Sequence, residues 1–142
     1  MSEFGMGGCP GSKMQDFREG TKGGKEEGGT RQSQLKQWPI QLHLVSPEAP
    51  YYQKADVLLA ADCVAYSVGD FHKDYLKGKS IAIACPKLDE DQDIYVEKIK
   101  SFMEDAKINT LTVMTMQVPC CAGLVSLAQR ALTDSKRKVP VK

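Results

Sequence analysis

Four short apolar runs, separated by stretches with helical periodicity, constrain the fold of this chain more than any other feature of its sequence. A near-continuous apolar run is typical of a strand that is buried on both faces, as the strands of parallel sheets are. The pattern therefore predicts four strands, which span Ile40–Val45, Asp56–Ala61, Ser80–Ala84 and Thr110–Met116.

Between and after these runs, apolar residues recur at the spacing of one helix face, in Asp91–Lys107 and again in Cys121–Ser135. The acidic run Asp89–Asp93 and the closing Lys107 match the helix dipole at both ends. Phe71–Leu76 is predicted as a shorter helix, closed by the glycine at position 78.

Alternating strands and helices predict βαβ units with right-handed crossovers. The fold class expected is a small three-layer α/β domain with a four-stranded, mainly parallel sheet of the flavodoxin- or Rossmann-like type. It spans residues 33–142. Residues 1–32 hold nine of the twelve glycines and are predicted to form a flexible, glycine-rich N-terminal arm that carries Cys9, because such a segment buries too little apolar surface to offset its ordering entropy.

Charge and cysteine content bound the function. Lys and Arg total 19 against 18 Asp and Glu, a formal net charge of +1, which gives no electrostatic signature for nucleic acid or for an anionic membrane surface. No apolar run approaches the length of a membrane span. Five cysteines without a regular framework are not typical of a secreted, disulfide-bonded domain. We therefore expect a cytoplasmic protein with reduced thiols.

The positions of the cysteines point to a site. Cys63 follows the second predicted strand, Cys85 the third, and Cys120 and Cys121 the fourth. Because the carboxyl ends of parallel strands lie at one edge of a sheet, we expect these four thiols to converge there. Prolines next to Cys85 and Cys120 stiffen their loops, and Gly123 allows the backbone to approach a bulky ligand closely.

Clustered thiolates select zinc, copper(I) or an iron–sulfur cluster. Structural zinc sites usually use paired C-x2–4-C knuckles, which are absent here, whereas a cubane is wide enough to take ligands from separate loops. The sequence thus predicts a [4Fe–4S] cluster held by Cys63, Cys85 and one or both of Cys120 and Cys121, with Cys9 completing or capping the set. The start of the last helix and nearby Lys87 would stabilise the anionic cluster.

Two consecutive cysteines raise a further hypothesis, in which one iron exchanges its ligand between Cys120 and Cys121 with redox state. An alternative function is a cysteine-dependent enzyme or sulfur carrier that uses Cys121 or Cys120 as nucleophile, because a helix N-terminus favours the thiolate. His72 is then the better candidate base, and His43 is interpreted as structural. A nucleotide- or flavin-binding module is disfavoured, since no glycine-rich phosphate-binding motif follows a strand.

Five separate motifs, in order, resemble a family of anaerobe proteins known as ferredoxins or iron–sulfur cluster-binding proteins. The resemblance covers residues 9–133, with the motifs at Ser33–Leu44, Ala60–Cys63, Asp70–His72, Cys85–Asp89 and Val118–Cys121. In that family the region usually follows a dicluster ferredoxin module, joined by a Cys-Pro-Gly-Ser element like the one at Cys9. The repeated C-x2-C runs of that module are missing here. The resemblance implies an anaerobic archaeal or bacterial source, a redox role, and a redox partner such as a separate ferredoxin or oxidoreductase.

Overall fold

The computed structural model describes residues 28–142, and within this range the sheet has three strands. They are β1 (Asp56–Ala61), β2 (Ser80–Ala84) and β3 (Thr110–Met114). All pair in parallel, in the order β2–β1–β3. The predicted arm over residues 1–32, with Cys9, lies almost entirely outside the described residues.

The central strand explains why its sequence is so uniformly apolar. Positions 57 to 61 of β1 are each at most 2% exposed. Since successive side chains of a strand point to opposite faces, burial of every position means that both faces of β1 are covered. This confirms the interpretation of the second apolar run as a strand buried on both faces.

The helices alternate with the strands along the chain. Helix α1 (Val64–Ser67) follows β1, α2 (Gln92–Glu104) follows β2, and α3 (Ala122–Asp134) follows β3. A π-helical turn, His72–Leu76, occupies most of the predicted short helix, and Gly78 beyond it has the positive φ of 79° that closes such a segment. Helices α2 and α3 pack against each other through the buried stripes that the periodicity indicated. No helix within residues 28–142 has both the length and the apolar character that a membrane span needs.

The prediction of a fourth strand at Ile40–Val45 is wrong. Gln41 forms a single parallel bridge with Ile83 at the open edge of β2, and then the chain turns, because the Leu44 and Val45 amides both donate to the Gln41 carbonyl. The Lys98 ammonium on α2 binds three backbone carbonyl oxygens of this segment, which are therefore not available to a sheet ladder; they belong to Leu42, His43 and Val45.

The predicted charge pattern at the ends of α2 is also wrong in part. Asp93 is the acidic residue of the first turn, and no basic residue lies in the last turn. Lys107 lies beyond Glu104, where the helix ends. Asp89 precedes the helix, and its carboxylate accepts a hydrogen bond from the backbone N–H of Cys85 at 2.9 Å. This carboxylate therefore serves the β2–α2 loop instead of the helix dipole.

Candidate functional site

A pocket of about 550 Å³ lies at the carboxyl ends of the three strands. Its lining includes Ala61 at the end of β1, Cys85 directly after β2, and Met116 just beyond β3. All four cysteines of the described residues line it: Cys63, Cys85, Cys120 and Cys121. Thiols that are far apart in sequence are thus brought together at the edge where open α/β folds bind ligands.

On the β1 side, Cys63 is exposed and its thiol donates to the Asp62 carboxylate at 3.4 Å. This hydrogen bond is the main reason that the pKa of Cys63 lies above the usual thiol range. Partial burial and the negative charge of Asp62 raise the pKa further, and the neighbouring Cys121 and Cys85 thiols act in the same direction. Cys63 therefore keeps its proton to a higher pH than an ordinary thiol does.

On the β2 side, the loop from Cys85 to Asp89 closes on itself. The Leu88 N–H donates to the Cys85 sulfur at 3.3 Å. The Asp89 N–H donates to the Cys85 carbonyl at 3.0 Å, and the Asp89 carboxylate accepts from the Cys85 N–H. Three hydrogen bonds therefore hold the backbone and the sulfur of Cys85 in one arrangement.

On the β3 side, both cysteines lie in a 3₁₀ turn, Pro119–Cys121, immediately before α3. The Cys121 N–H donates to the Val118 carbonyl at 3.1 Å. Cys121 is buried and Cys120 is half-buried. With three residues per turn, consecutive side chains point about 120° apart, so the two thiols present their sulfurs in different directions although both line the pocket.

A close contact joins the Cys85–Asp89 loop to the start of α3. A Cβ placed on Gly123, in the first turn of α3, would lie 3.0 Å from the Pro86 Cβ. Contacts this short are rare between carbon atoms, whose optimum is about 3.5–4.0 Å. Glycine at position 123 thus lets α3 approach the Cys85 loop, and with it sets how near Cys85 lies to Cys121.

The rest of the wall is mostly apolar, with Leu88, Met116 and Val118 among its members, and it carries one charge of each sign, on Lys87 and Asp62. The placement of Lys87 agrees with its predicted proximity to the cysteines. Sequence reasoning did not assign Asp62, Met116 or Val118 to the site. The signal was present, since each follows a strand end as the cysteines do.

The two histidines lie elsewhere. His72 lines a separate pocket of about 330 Å³ with Arg31 and Ala65, and its Nδ1 accepts from the Gln34 N–H at 2.9 Å. His72, the predicted candidate base, therefore lines a pocket that shares no lining residue with the cysteine pocket. His43 contacts the Glu90 carbonyl at 2.6 Å through Nε2, which agrees with its interpretation as a structural residue.

Across residues 28–142, no three His, Cys, Asp or Glu side chains are grouped closely enough to hold one metal ion. In a cubane the thiolates bind different iron atoms, so its ligands lie farther apart than those of a single ion. Cys9, the fifth predicted ligand, lies outside the described residues.

Comparison with known proteins gives the family. An uncharacterised protein of Archaeoglobus fulgidus is 33% identical over 98 residues, which cover 69% of this chain and 68% of that protein. No solved structure matches the chain significantly. The sequence profile of the Rossmann-like domain matches residues 49–142, which include all three strands. The chain therefore belongs to the Rossmann-like domain family.

Proposed function

We propose that this protein binds a [4Fe–4S] cluster in the pocket at the carboxyl edge of the sheet and acts in electron transfer or redox sensing. One observation carries the proposal: four cysteines from three separate loops line a single pocket. The proposed ligands are Cys63, Cys85 and one or both of Cys120 and Cys121, with Cys9 as the fifth candidate. When bound, the cluster would supply a one-electron redox centre.

The donor set fits this group. Soft thiolates favour iron–sulfur clusters, copper(I) and zinc, and zinc requires bonds of about 2.3 Å from every sulfur to the same ion. A pocket of about 550 Å³ lined by thiols from three loops is better suited to a wider inorganic core. The Leu88 N–H that donates to the Cys85 sulfur supports the same assignment, because hydrogen bonds to cluster sulfurs raise the reduction potential.

Some charged groups around the pocket favour binding of an anionic cluster and one opposes it. A [4Fe–4S]²⁺ core with four thiolates carries a net charge of −2. Lys87 lines the pocket, and α3 begins directly after Cys121, so its first backbone N–H groups favour an anion at this end. Asp62 opposes binding, because its charge repels the cluster and its carboxylate holds the Cys63 proton. Iron uptake through Cys63 must release that proton.

The 3₁₀ turn supports a role for both tandem cysteines. Because Cys120 and Cys121 lie in one turn and line the same pocket, either sulfur could serve the same iron, and replacing one by the other would require the turn to reorient by about 120°. We include this ligand exchange with redox state in the proposal. The partner that donates or accepts the electron would be a separate ferredoxin or an oxidoreductase. A reducing, cytoplasmic location, in which the cysteines stay available as ligands, is part of the proposal.

The test is anaerobic reconstitution with iron and sulfide, followed by metal and sulfide analysis and by visible and EPR spectra. We expect the reconstituted protein to contain four iron atoms per chain and to show the absorption of a [4Fe–4S] cluster. Protein whose thiols have first been blocked with iodoacetamide is the control for iron that adheres elsewhere. Iron near zero, or a single retained zinc ion, would end the cluster proposal.

Serine substitution of each cysteine then assigns the ligands. Cys63→Ser and Cys85→Ser should each lower the iron content severely. If Cys120 and Cys121 exchange as ligands, Cys120→Ser should alter the spectrum in one redox state and Cys121→Ser in the other. Identical spectra of both tandem variants in both redox states would exclude the exchange. If iodoacetamide under air-free conditions alkylates one thiol much faster than the others, and no bound cluster protects the remaining thiols, the cysteine-dependent enzyme is favoured instead.

A further inference from the structure

The Asp89 carboxylate accepts several hydrogen bonds beside the pocket, although Asp89 is not one of the proposed cluster ligands. Its Oδ2 accepts from the Cys85 N–H at 2.9 Å, from the Gln41 side-chain amide at 3.0 Å, and from the Tyr95 hydroxyl. Tyr95 lies on α2 and is fully buried. Three parts of the fold therefore meet at one carboxylate beside Cys85.

Each donor to Asp89 is itself anchored. The Gln41 backbone is bridged to Ile83, two residues before Cys85, and its side-chain amide also donates to the Tyr95 hydroxyl. The Tyr95 ring contacts His43, with ring centroids 4.2 Å apart. The position of the carboxylate is thus determined by β2, by α2 and by the segment that precedes β1.

We infer that Asp89 is a positioning residue for the proposed cluster: its carboxylate, held by Tyr95 and Gln41, orients the Cys85 sulfur toward the pocket and maintains its hydrogen bond from Leu88. The loop supports this role because Asp89 also donates its own N–H to the Cys85 carbonyl. Loss of the carboxylate would release the Cys85 backbone, and the Leu88 N–H···S contact of 3.3 Å would lengthen. The measurements on the bound cluster rest on the proposed function, whereas the measurements on the apo protein do not.

The test compares Asp89→Asn with Asp93→Asn. Asp93 is an exposed acid four residues farther on, whose carboxylate lies 3.5 Å from Arg130, so its substitution removes a charge but no contact with the Cys85 loop. Tyr95→Phe is the second test variant, because it removes one donor to Asp89 while keeping the aromatic ring. Circular dichroism and thermal unfolding establish that each variant is folded.

Two measurements follow on each variant. In the apo protein, mass spectrometry gives the alkylation rate of every cysteine, and Asp89→Asn should raise that of Cys85 several-fold while leaving Cys63 unchanged. In the reconstituted protein, Tyr95→Phe should make the reduction potential more negative and change the EPR spectrum, because the hydrogen bond to the Cys85 sulfur is weakened without loss of a charge. Asp89→Asn should change the EPR spectrum more, while its lost negative charge offsets the shift in potential. Tyr95→Phe should raise the Cys85 alkylation rate less than Asp89→Asn does, and Asp93→Asn should change none of these quantities.

The outcomes separate the two ideas. If wild-type protein takes up no iron but Asp89→Asn still accelerates alkylation of Cys85 alone, the proposed function fails and the positioning of Cys85 stands. If the variant is folded and the Cys85 rate, the potential and the EPR spectrum all equal those of Asp93→Asn, the positioning role is overturned. Equal acceleration at every cysteine also overturns it, because that result means general loosening of the fold.

Discussion

The contact between Gly123 and Pro86 leads to a quantitative prediction about the packing that brings Cys85 near Cys121. In Gly123→Ala, the new Cβ would lie 3.0 Å from the Pro86 Cβ and 3.7 Å from its Cγ. Carbon atoms at optimal separation are about 3.5–4.0 Å apart, so the first distance is short by about 0.5–1 Å. Pro86 is held in the Cys85–Asp89 loop by the hydrogen bonds on either side of it, so the strain is not relieved by a side-chain rotation.

Two opposing free energies decide the result. Alanine is favoured over glycine inside a helix by about 1 kcal/mol, whereas overpacking a well-filled contact costs about 1–3 kcal/mol. Gly123→Ala should therefore lower the free energy of unfolding by about 0–2 kcal/mol. In a Pro86→Gly background the blocking Cβ is absent, and the same substitution should raise the free energy of unfolding by about 1 kcal/mol.

Urea unfolding of the reduced apo protein measures all four corners of this double-mutant cycle. Gly69→Ala is the matched control, because an added Cβ there meets nothing within 4 Å and should stabilise by about 0.4–1 kcal/mol. The expected coupling between positions 86 and 123 is about 1–3 kcal/mol. If Gly123→Ala stabilises equally in both backgrounds, the close approach of α3 to the Cys85 loop is refuted.

Three further predictions concern single hydrogen-bonded groups. Asp62→Asn should lower the raised pKa of Cys63, so that alkylation of Cys63 in the apo protein becomes faster near neutral pH and its rate profile moves to lower pH; an unchanged profile, followed by mass spectrometry, would contradict the role of the carboxylate. Lys98→Met removes an ammonium that binds three backbone carbonyls, and should lower the free energy of unfolding by about 1.5–3 kcal/mol, whereas no change in the urea midpoint would mean that water replaces it. Tyr52→Phe deletes a buried hydroxyl that donates to the Ile81 carbonyl at 2.8 Å and accepts from Gln37; it should cost about 1–3 kcal/mol, and a thermal midpoint equal to that of Tyr51→Phe would refute this estimate.

Strand and helix positions were predicted well where burial follows the local pattern. The apolar runs at Asp56–Ala61 and Ser80–Ala84 are strands with the same bounds, and Ala122–Asp134 is a helix within one residue at each end of the predicted segment. A strand in the middle of a parallel sheet is buried along its whole length, so its sequence reports its environment directly. The same local pattern failed at Ile40–Val45, because Lys98, more than fifty residues away, binds the carbonyl oxygens that a strand would need.

The roles of individual polar residues were harder to predict for the same reason. Asp89 belongs to an acidic run before a helix, and the helix dipole is the local explanation for it. Its actual partners come from α2, from Gln41 and from the Cys85 backbone. His72 follows the β1 segment in sequence but lines a different pocket, where its Nδ1 accepts from the Gln34 N–H. The partners of Asp89 and the pocket that His72 lines are set by packing between distant segments, so the spacing of residues along the chain does not predict them.

What the amino-acid sequence by itself determined is the position of the thiols relative to the strands. Buried runs that alternate with helices require a parallel sheet, and a parallel sheet collects whatever follows its strands at one edge. What only the tertiary structure decided is how that edge is arranged: the approach of Pro86 to Gly123, the anchoring of Cys85 through Asp89, and the different exposures of Cys63 and Cys121. These depend on distances between packed segments, which periodicity along the chain does not encode.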